Sequence, residues 1–308
     1  ITTNIETVAQ IIVGERNSNI YKISAGVNHT IALKNDGTVW SWGDNTYGQL
    51  GDGGVLTSET ENPIQVSGVN GSKYLSDVVD IASGTYFSIA LLKNGNVVAW
   101  GSNDYGQLGN NTKTSSAYAI QVLDSTGNDY LKDVVQVSAG AAYVSVVKND
   151  GTVWSWGAGA SAQMGDGART QRSLPVQAKN VTDVKKVATG CYITLVLKND
   201  GTVWAWGLNT SGQLGIGTKV NSLYPTNLST VKDIVQISTG LDYSVLVTTS
   251  GEVYSFGING SAQLGDGTTI NKNIPTQVVM NDGSKLENIE YVSCGSKHVI
   301  AKTNDGKV

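Results

Sequence analysis

Residues 34–43 read Lys34-Asn35-Asp36-Gly37-Thr38-Val39-Trp40-Ser41-Trp42-Gly43, and related runs recur at 93–101, 148–157, 198–207 and 250–257. Asn-Asp-Gly, Asn-Gly or Ser-Gly between two apolar runs signals a hairpin, because its central residues are expected to accept positive φ. The tryptophans then fall on the second strand of that hairpin. Side chains alternate along a strand, so Trp40 and Trp42 share one face while Val39, Ser41 and Gly43 share the other. Rings on one face and small residues on the opposite face predict sheets stacked bulky side to smooth side. Packing accounts for the tryptophans without a sugar-stacking or light-sensing role.

Two further phrases flank each copy. Ile23-Ser24-Ala25-Gly26 precedes the first, and its glycine returns at 84, 140, 190, 240 and 295, spaced by 58, 56, 50, 50 and 55 residues. Gly48-Gln49-Leu50-Gly51 follows it, with counterparts at 106–109, 162–165, 212–215 and 262–265. Each unit reads as four strands, as in Val79-Asp80-Ile81-Ala82, residues 87–92, residues 97–100, and a proline-led edge strand like Pro63-Ile64-Gln65-Val66. Four-stranded antiparallel units repeated along a chain predict an all-β fold, a β-propeller, here a single domain over residues 1–308. Residues 6–13 (Glu6-Thr7-Val8-Ala9-Gln10-Ile11-Ile12-Val13) look like a fourth strand, and residues 291–308 supply a first strand, a second and the start of a third. Together they predict six blades, with the N-terminal strand closing the last one, or seven if the chain belongs to a longer ring.

Composition narrows the function. Charged residues make up 15% of the chain, against about 25% for an average domain, and glycine is abundant, which disfavours helical bundles and coiled coils. A formal net charge of -4 lacks the basic footprint of a nucleic-acid binder. No run approaches about 18 apolar residues, so no membrane span is expected. Cys191 and Cys294 lie far apart and suggest neither a zinc site nor a disulfide framework. Scarce cysteine, loops rich in Asn, Ser and Thr, and a start at Ile1 lead to the expectation of an exported bacterial protein, secreted or at the cell surface, with a cytoplasmic location kept open.

Three motifs carry a family resemblance. Gly-x-x-His-x-x-Ala-Leu (Gly26 and His29 to Leu33), Asp-Gly-x-Val-x-Ser-Trp-Gly (Asp36 to Gly43) and Asn-x-x-Gly-Gln-Leu-Gly (Asn45 to Gly51) resemble repeats of the regulator of chromosome condensation family. The resemblance covers nearly the whole chain. It implies a propeller, usually of seven blades, and leaves function open, since the fold hosts unrelated activities. Relatives include an exchange factor for a nuclear GTPase, a plant ultraviolet receptor, ligase-associated modules and a secreted bacterial β-lactamase inhibitor.

No catalytic, phosphate-binding or metal-binding signature stands out, so no enzyme, cofactor or metal is expected. His29 and His298 occupy one register, which Phe87, Tyr143, Ile193 and Tyr243 fill in the other units. A slot that accepts Phe and Ile is a packing position. What remains is a surface. The turn after each Ser-Ala-Gly phrase and the Gln-Leu-Gly loops share one end of the sheets, and there the units differ. Asn28, Tyr47, Tyr86, Tyr105, Tyr192, Asp242 and Lys297 are the candidate partner-binding residues, with Arg169 and Arg172 nearby in the third loop. The leading expectation is a monomeric, non-catalytic propeller that binds a protein partner through this face. A carbohydrate- or cell-wall-binding module is the alternative, and a GTPase exchange factor-like regulator comes third.

Overall fold

The computed structural model describes residues 19–54 and 58–308. Six antiparallel sheets follow one another along the chain. The first holds β1 (Ile20–Ala25), β2 (His29–Lys34), β3 (Val39–Asp44) and β4 (Glu59–Gln65), and the second β5 (Val78–Ser83), β6 (Phe87–Leu92), β7 (Val97–Gly101) and β8 (Ser116–Gln121). The third is made of β9 (Val134–Ala139), β10 (Tyr143–Lys148), β11 (Val153–Gly157) and β12 (Arg172–Gln177). In the fourth are β13 (Val184–Thr189), β14 (Ile193–Lys198), β15 (Val203–Gly207) and β16 (Ser222–Asn227). The fifth contains β17 (Ile234–Thr239), β18 (Tyr243–Thr248), β19 (Val253–Gly257) and β20 (Lys272–Gln277), and the sixth pairs β21 (Ile289–Cys294) with β22 (Val299–Thr303). Strands within each sheet stand in chain order, the meander expected of propeller blades. The strand expected at residues 6–13 lies outside the described residues.

The hairpin turns form where expected but by a different device. Only the glycine is left-handed: Gly37 has φ +79°, whereas Asn35 and Asp36 do not enter that region. Gly37 N–H donates to the Lys34 carbonyl (3.0 Å) and Lys34 N–H to the Thr38 carbonyl (2.9 Å). Asp36 serves as an acceptor, taking the Thr38 N–H (3.0 Å) and hydroxyl (2.6 Å). Asp77, just before the next sheet, adopts the left-handed conformation instead, and Val78 N–H donates to the Gly37 carbonyl (3.1 Å). Each turn is thereby tied to the start of the following sheet, with Asp133, Asp183, Asp233 and Asn288 in the role of Asp77.

Aromatic rings join the sheets, though the two tryptophans of a strand do not share the task. Trp100, Trp156 and Trp206 are fully buried. Their indole N–H groups donate to the carbonyls of Gln49, Gln107 and Gln163 in the preceding sheet's loop, each at 2.9 Å. The Trp100 ring lies so close to Gly51 that any Cβ there would meet it at 2.9 Å. Phe256 takes the same seat on the fourth loop, beside Gly215. Trp154, two residues before Trp156, is only half-buried, with the Lys148 ammonium 5.8 Å above its ring. Trp40 and Trp204 repeat that arrangement under Lys34 and Lys198. In the second to fifth sheets one ring of the third strand is the joint, and the tryptophan two residues before it in β11 and β15 is a cover over the sheet.

The inner strands lie side by side without a ladder between them, and side chains bridge the gap. Lys22 pairs with Asp80 (2.6 Å), and Asp80 accepts the Val137 N–H (3.4 Å). Gln136 both donates to the Val187 carbonyl (3.1 Å) and accepts the Val187 N–H (2.8 Å). Lys186 reaches the Val235 carbonyl (3.4 Å), and Gln236 grips Val292 in both directions (3.1 and 3.0 Å). The residues that follow Asp80, Gln136, Lys186 and Gln236, namely Ile81, Val137, Val187 and Ile237, are buried, as is Val292 in the same register of the sixth sheet. Ile23 of the first sheet is the exception, 60% exposed.

Candidate protein-binding face

Each Gln-Leu-Gly loop is stiffened from within. In the second, Asn103 is buried; its Oδ1 accepts the Leu108 N–H (2.9 Å) and its Nδ2 donates to the carbonyls of Thr112 (3.1 Å) and Thr114 (3.0 Å). Gln107 Oε1 accepts the Tyr105 N–H (2.9 Å), and Gln49 does the same for Tyr47 (2.8 Å) while donating to Asp44 (2.8 Å). Tyr47 and Tyr105 therefore stand on backbones held by their own loops, so little ordering entropy is lost when a partner covers them. Tyr47, Tyr105 and Tyr192 are 41%, 49% and 41% exposed.

The structure gathers most of the expected residues into two groups. Tyr47, from the first loop, and Tyr86, from the turn before β6, have ring centroids 5.0 Å apart at an interplanar angle of 35°, which leaves Tyr86 half-buried. Around Tyr192, the neighbouring Cys191 thiol is the main influence raising the phenol above its usual range, reinforced by burial, Asp242 and Tyr105. Asp242 is half-buried; burial raises its carboxyl, and Gln213 Nε2 donates to it (3.4 Å). Asn28 and Lys297, in the first and sixth sheets, are exposed and stand outside these groups. Arg172 is turned inward, its Nη2 and Nε holding Asp166 (2.6 and 3.1 Å). Cys191 and Gln213 belong to the second group and were not singled out in the sequence; only their place beside slot and loop residues of the repeat would have marked them.

The histidine register is a packing position in the first five sheets, whereas His298 in the sixth is exposed. Phe87, Tyr143, Ile193 and Tyr243 are sealed there, and the Tyr143 hydroxyl donates to the Ile193 carbonyl of the next sheet. The Tyr243 hydroxyl reaches the Gly295 and His298 carbonyls (3.0 and 2.6 Å). His29 is also sealed, with Nε2 2.9 Å from Ser88 Oγ. That distance suits a base and its nucleophile, but the chemistry runs the other way. The Ser88 hydroxyl already donates to the Gln49 carbonyl (3.1 Å), so Nε2 must carry the proton and donate to Ser88. Burial holds the imidazole neutral, pulling its pKa down to about 4 against the opposing pull of Asp44. Among the described residues no group of three or more His, Cys, Asp or Glu side chains is arranged to hold a metal, and no helix is long and apolar enough to cross a membrane.

A family model described as an RCC1-like domain matches residues 3–308. The human E3 ubiquitin-protein ligase HERC2 is 34% identical over 151 residues, which is 49% of this chain and 3% of that protein. The crystal structure of human WBSCR16 superposes with a TM-score of 0.78 at 24% identity, covering 92% of this chain and 71% of that one. Yeast RCC1 (Prp20), solved with Kap60 bound, gives a TM-score of 0.75 at 23% identity over 93% of this chain and 68% of that one. These relatives are human and yeast proteins, not bacterial ones.

Proposed function

The chain belongs to the RCC1-like domain family, and on that footing we propose that it is a non-catalytic binding propeller whose loop face engages a partner protein. The observation that carries the reading is the aromatic surface built from Tyr47 and Tyr105, on loops held rigid by buried Asn and Gln side chains, together with Tyr86 and Tyr192 on the turns before β6 and β14. Tyrosine supplies a large amphipathic contact area at low entropic cost and is enriched where interface energy concentrates. The half-buried Asp242 adds a charge that a complementary donor on the partner would satisfy. Yeast RCC1 (Prp20), which shares the fold, was solved with the protein Kap60 bound. The encounter is placed outside the cell or at its surface on composition alone, and the protein is taken to act as a monomer.

The test is affinity capture with chemical cross-linking from both culture medium and lysate, comparing the wild-type chain with Tyr105→Ala/Tyr192→Ala. A partner captured by the first and lost by the second supports the reading. Retention on an insoluble glycan that the same double variant abolishes would replace it with the carbohydrate-binding alternative. Accelerated nucleotide release from a GTPase would move the protein to the exchange-factor class.

A further inference from the structure

Asp242, on the turn before β18, takes part in no ion pair among the described residues. It is nevertheless half-buried and held in place. Its Oδ1 accepts Gln213 Nε2 (3.4 Å), and Gln213 is itself sealed, with its Oε1 taken by the Ser211 N–H (2.8 Å). The sequence explains that contact. Gln49 and Gln107 donate to Asp44 (2.8 Å) and Ser102 (3.3 Å), the residues after Gly43 and Gly101 in their own sheets. In the fourth sheet the residue after Gly207 is Leu208, which has no side-chain acceptor, and Asp242 of the next sheet supplies one. An uncharged acceptor would serve the Gln213 amide equally well, so this bond leaves the charge unexplained. Burial raises the carboxyl above its usual range, as it does where no cation offsets the lost hydration.

The surroundings of the carboxylate suit a flat cation. Cys191 N–H donates to the Leu241 carbonyl (3.0 Å), tying the turn that carries Tyr192 to the turn that carries Asp242. The Tyr192 phenol is raised first by the Cys191 thiol, then by burial and by Asp242, so the ring lies within the field of the carboxylate. Tyr192 and Leu241 are 41% and 43% exposed, and they offer an aromatic and an aliphatic surface beside the charge. Resting on the reading of this face as protein-binding, and narrowing it, we propose that the corner formed by Tyr192, Leu241, Asp242 and Gln213 receives an arginine side chain of the partner. The guanidinium would stack on the Tyr192 ring and pair edge-on with Asp242 Oδ2, the oxygen that Gln213 leaves open. Its methylene stem would lie on Leu241. A lysine ammonium is a compact, strongly hydrated charge without a planar face, so it would meet the carboxylate or the ring but not both in this way.

The probe is a phage-displayed library of random dodecapeptides selected on the full chain, the enriched sequences then being synthesised and titrated by calorimetry. Peptides that bind the loop face should share an arginine. Asp242→Asn, which keeps an acceptor for Gln213 and removes only the charge, should weaken them at least tenfold. Replacing the peptide's arginine by glutamine should do the same, and replacing it by lysine should weaken binding more than threefold. Lys297→Ala, in the equivalent position of the next unit, should change binding less than twofold. The melting temperature of Asp242→Asn should match or exceed that of wild type; a fall of about 5 °C or more would make the carboxylate a structural group and overturn the proposal. Peptides that lose affinity with Tyr105→Ala/Tyr192→Ala yet carry no arginine, or are indifferent to Asp242→Asn, overturn it too and leave the protein-binding reading standing. A selection that yields no peptide for this face also overturns it, while affinity capture still decides the wider reading.

Discussion

The side-chain amide of Gln136 is bonded in both directions to the backbone of Val187, donating to its carbonyl at 3.1 Å and accepting its N–H at 2.8 Å. It supplies, between two inner strands of different sheets, the pair of bonds a neighbouring strand would make. Gln136→Ala leaves both Val187 groups without that partner and should cost about 2 kcal/mol, read from urea unfolding. Gln136→Glu keeps the acceptor and loses the donor, so it should fall between the two. Equal stability of all three proteins would show that water replaces the amide freely.

The two tryptophans of β11 should separate in the same assay. Trp156→Ala opens a sealed site and removes the N–H bond to Gln107, a loss of roughly 3–5 kcal/mol. Trp154→Ala removes a half-buried ring under Lys148 and should cost roughly 1 kcal/mol. Trp156→Phe should be mild, since Phe256 fills the equivalent seat. Similar losses at 154 and 156 would contradict the division between joint and cover.

Acid should find His29. An unfolded histidine titrates near 6.5, while the folded one stays neutral down to about 4. Between those values the unfolded chain binds the extra proton, so stability falls as pH is lowered from 6.5, by on the order of 3 kcal/mol once pH 4 is passed. His29→Phe, a side chain the same slot accepts at Phe87, should flatten the stability profile between pH 6.5 and 4.5. An unchanged slope in that variant would assign the acid sensitivity elsewhere.

Tyr105→Ala/Tyr192→Ala should leave the unfolding free energy within about 1 kcal/mol of wild type, since both rings are largely exposed. Partner capture should drop at least tenfold. Destabilisation well beyond 1 kcal/mol would make the pair structural and remove it from the face.

Much of the blade was legible because its periodicities are local. The expected second strand at residues 87–92 coincides with β6, and the alternation of Val39-Trp40-Ser41-Trp42 is the one observed. The inter-blade bridges were not, because Lys22, Asp80, Gln136, Lys186 and Gln236 differ in type while doing one job, so repetition hides them. Nor does alternation tell which ring of a same-face pair lies inside; that depends on a neighbouring loop some fifty residues away. The left-handed residues before each inner strand did leave a trace, Asp-Val, Asp-Ile or Asn-Ile at 77, 133, 183, 233 and 288. On the loop face the tyrosines announce themselves by type, but the meeting of Tyr47 with Tyr86, and the bond from Cys191 N–H to the Leu241 carbonyl that ties the turns carrying Tyr192 and Asp242, are made across sheets.

The bond from each buried indole ends on a main-chain oxygen, that of Gln49, Gln107 or Gln163. Every amino acid carries that oxygen, so the coupling between neighbours survives substitution of the exposed tips two residues away. Selection is free to repaint the recognition surface, exchanging Tyr105 in one unit for Ser161 or Ser211 in others, while the wheel beneath keeps its shape.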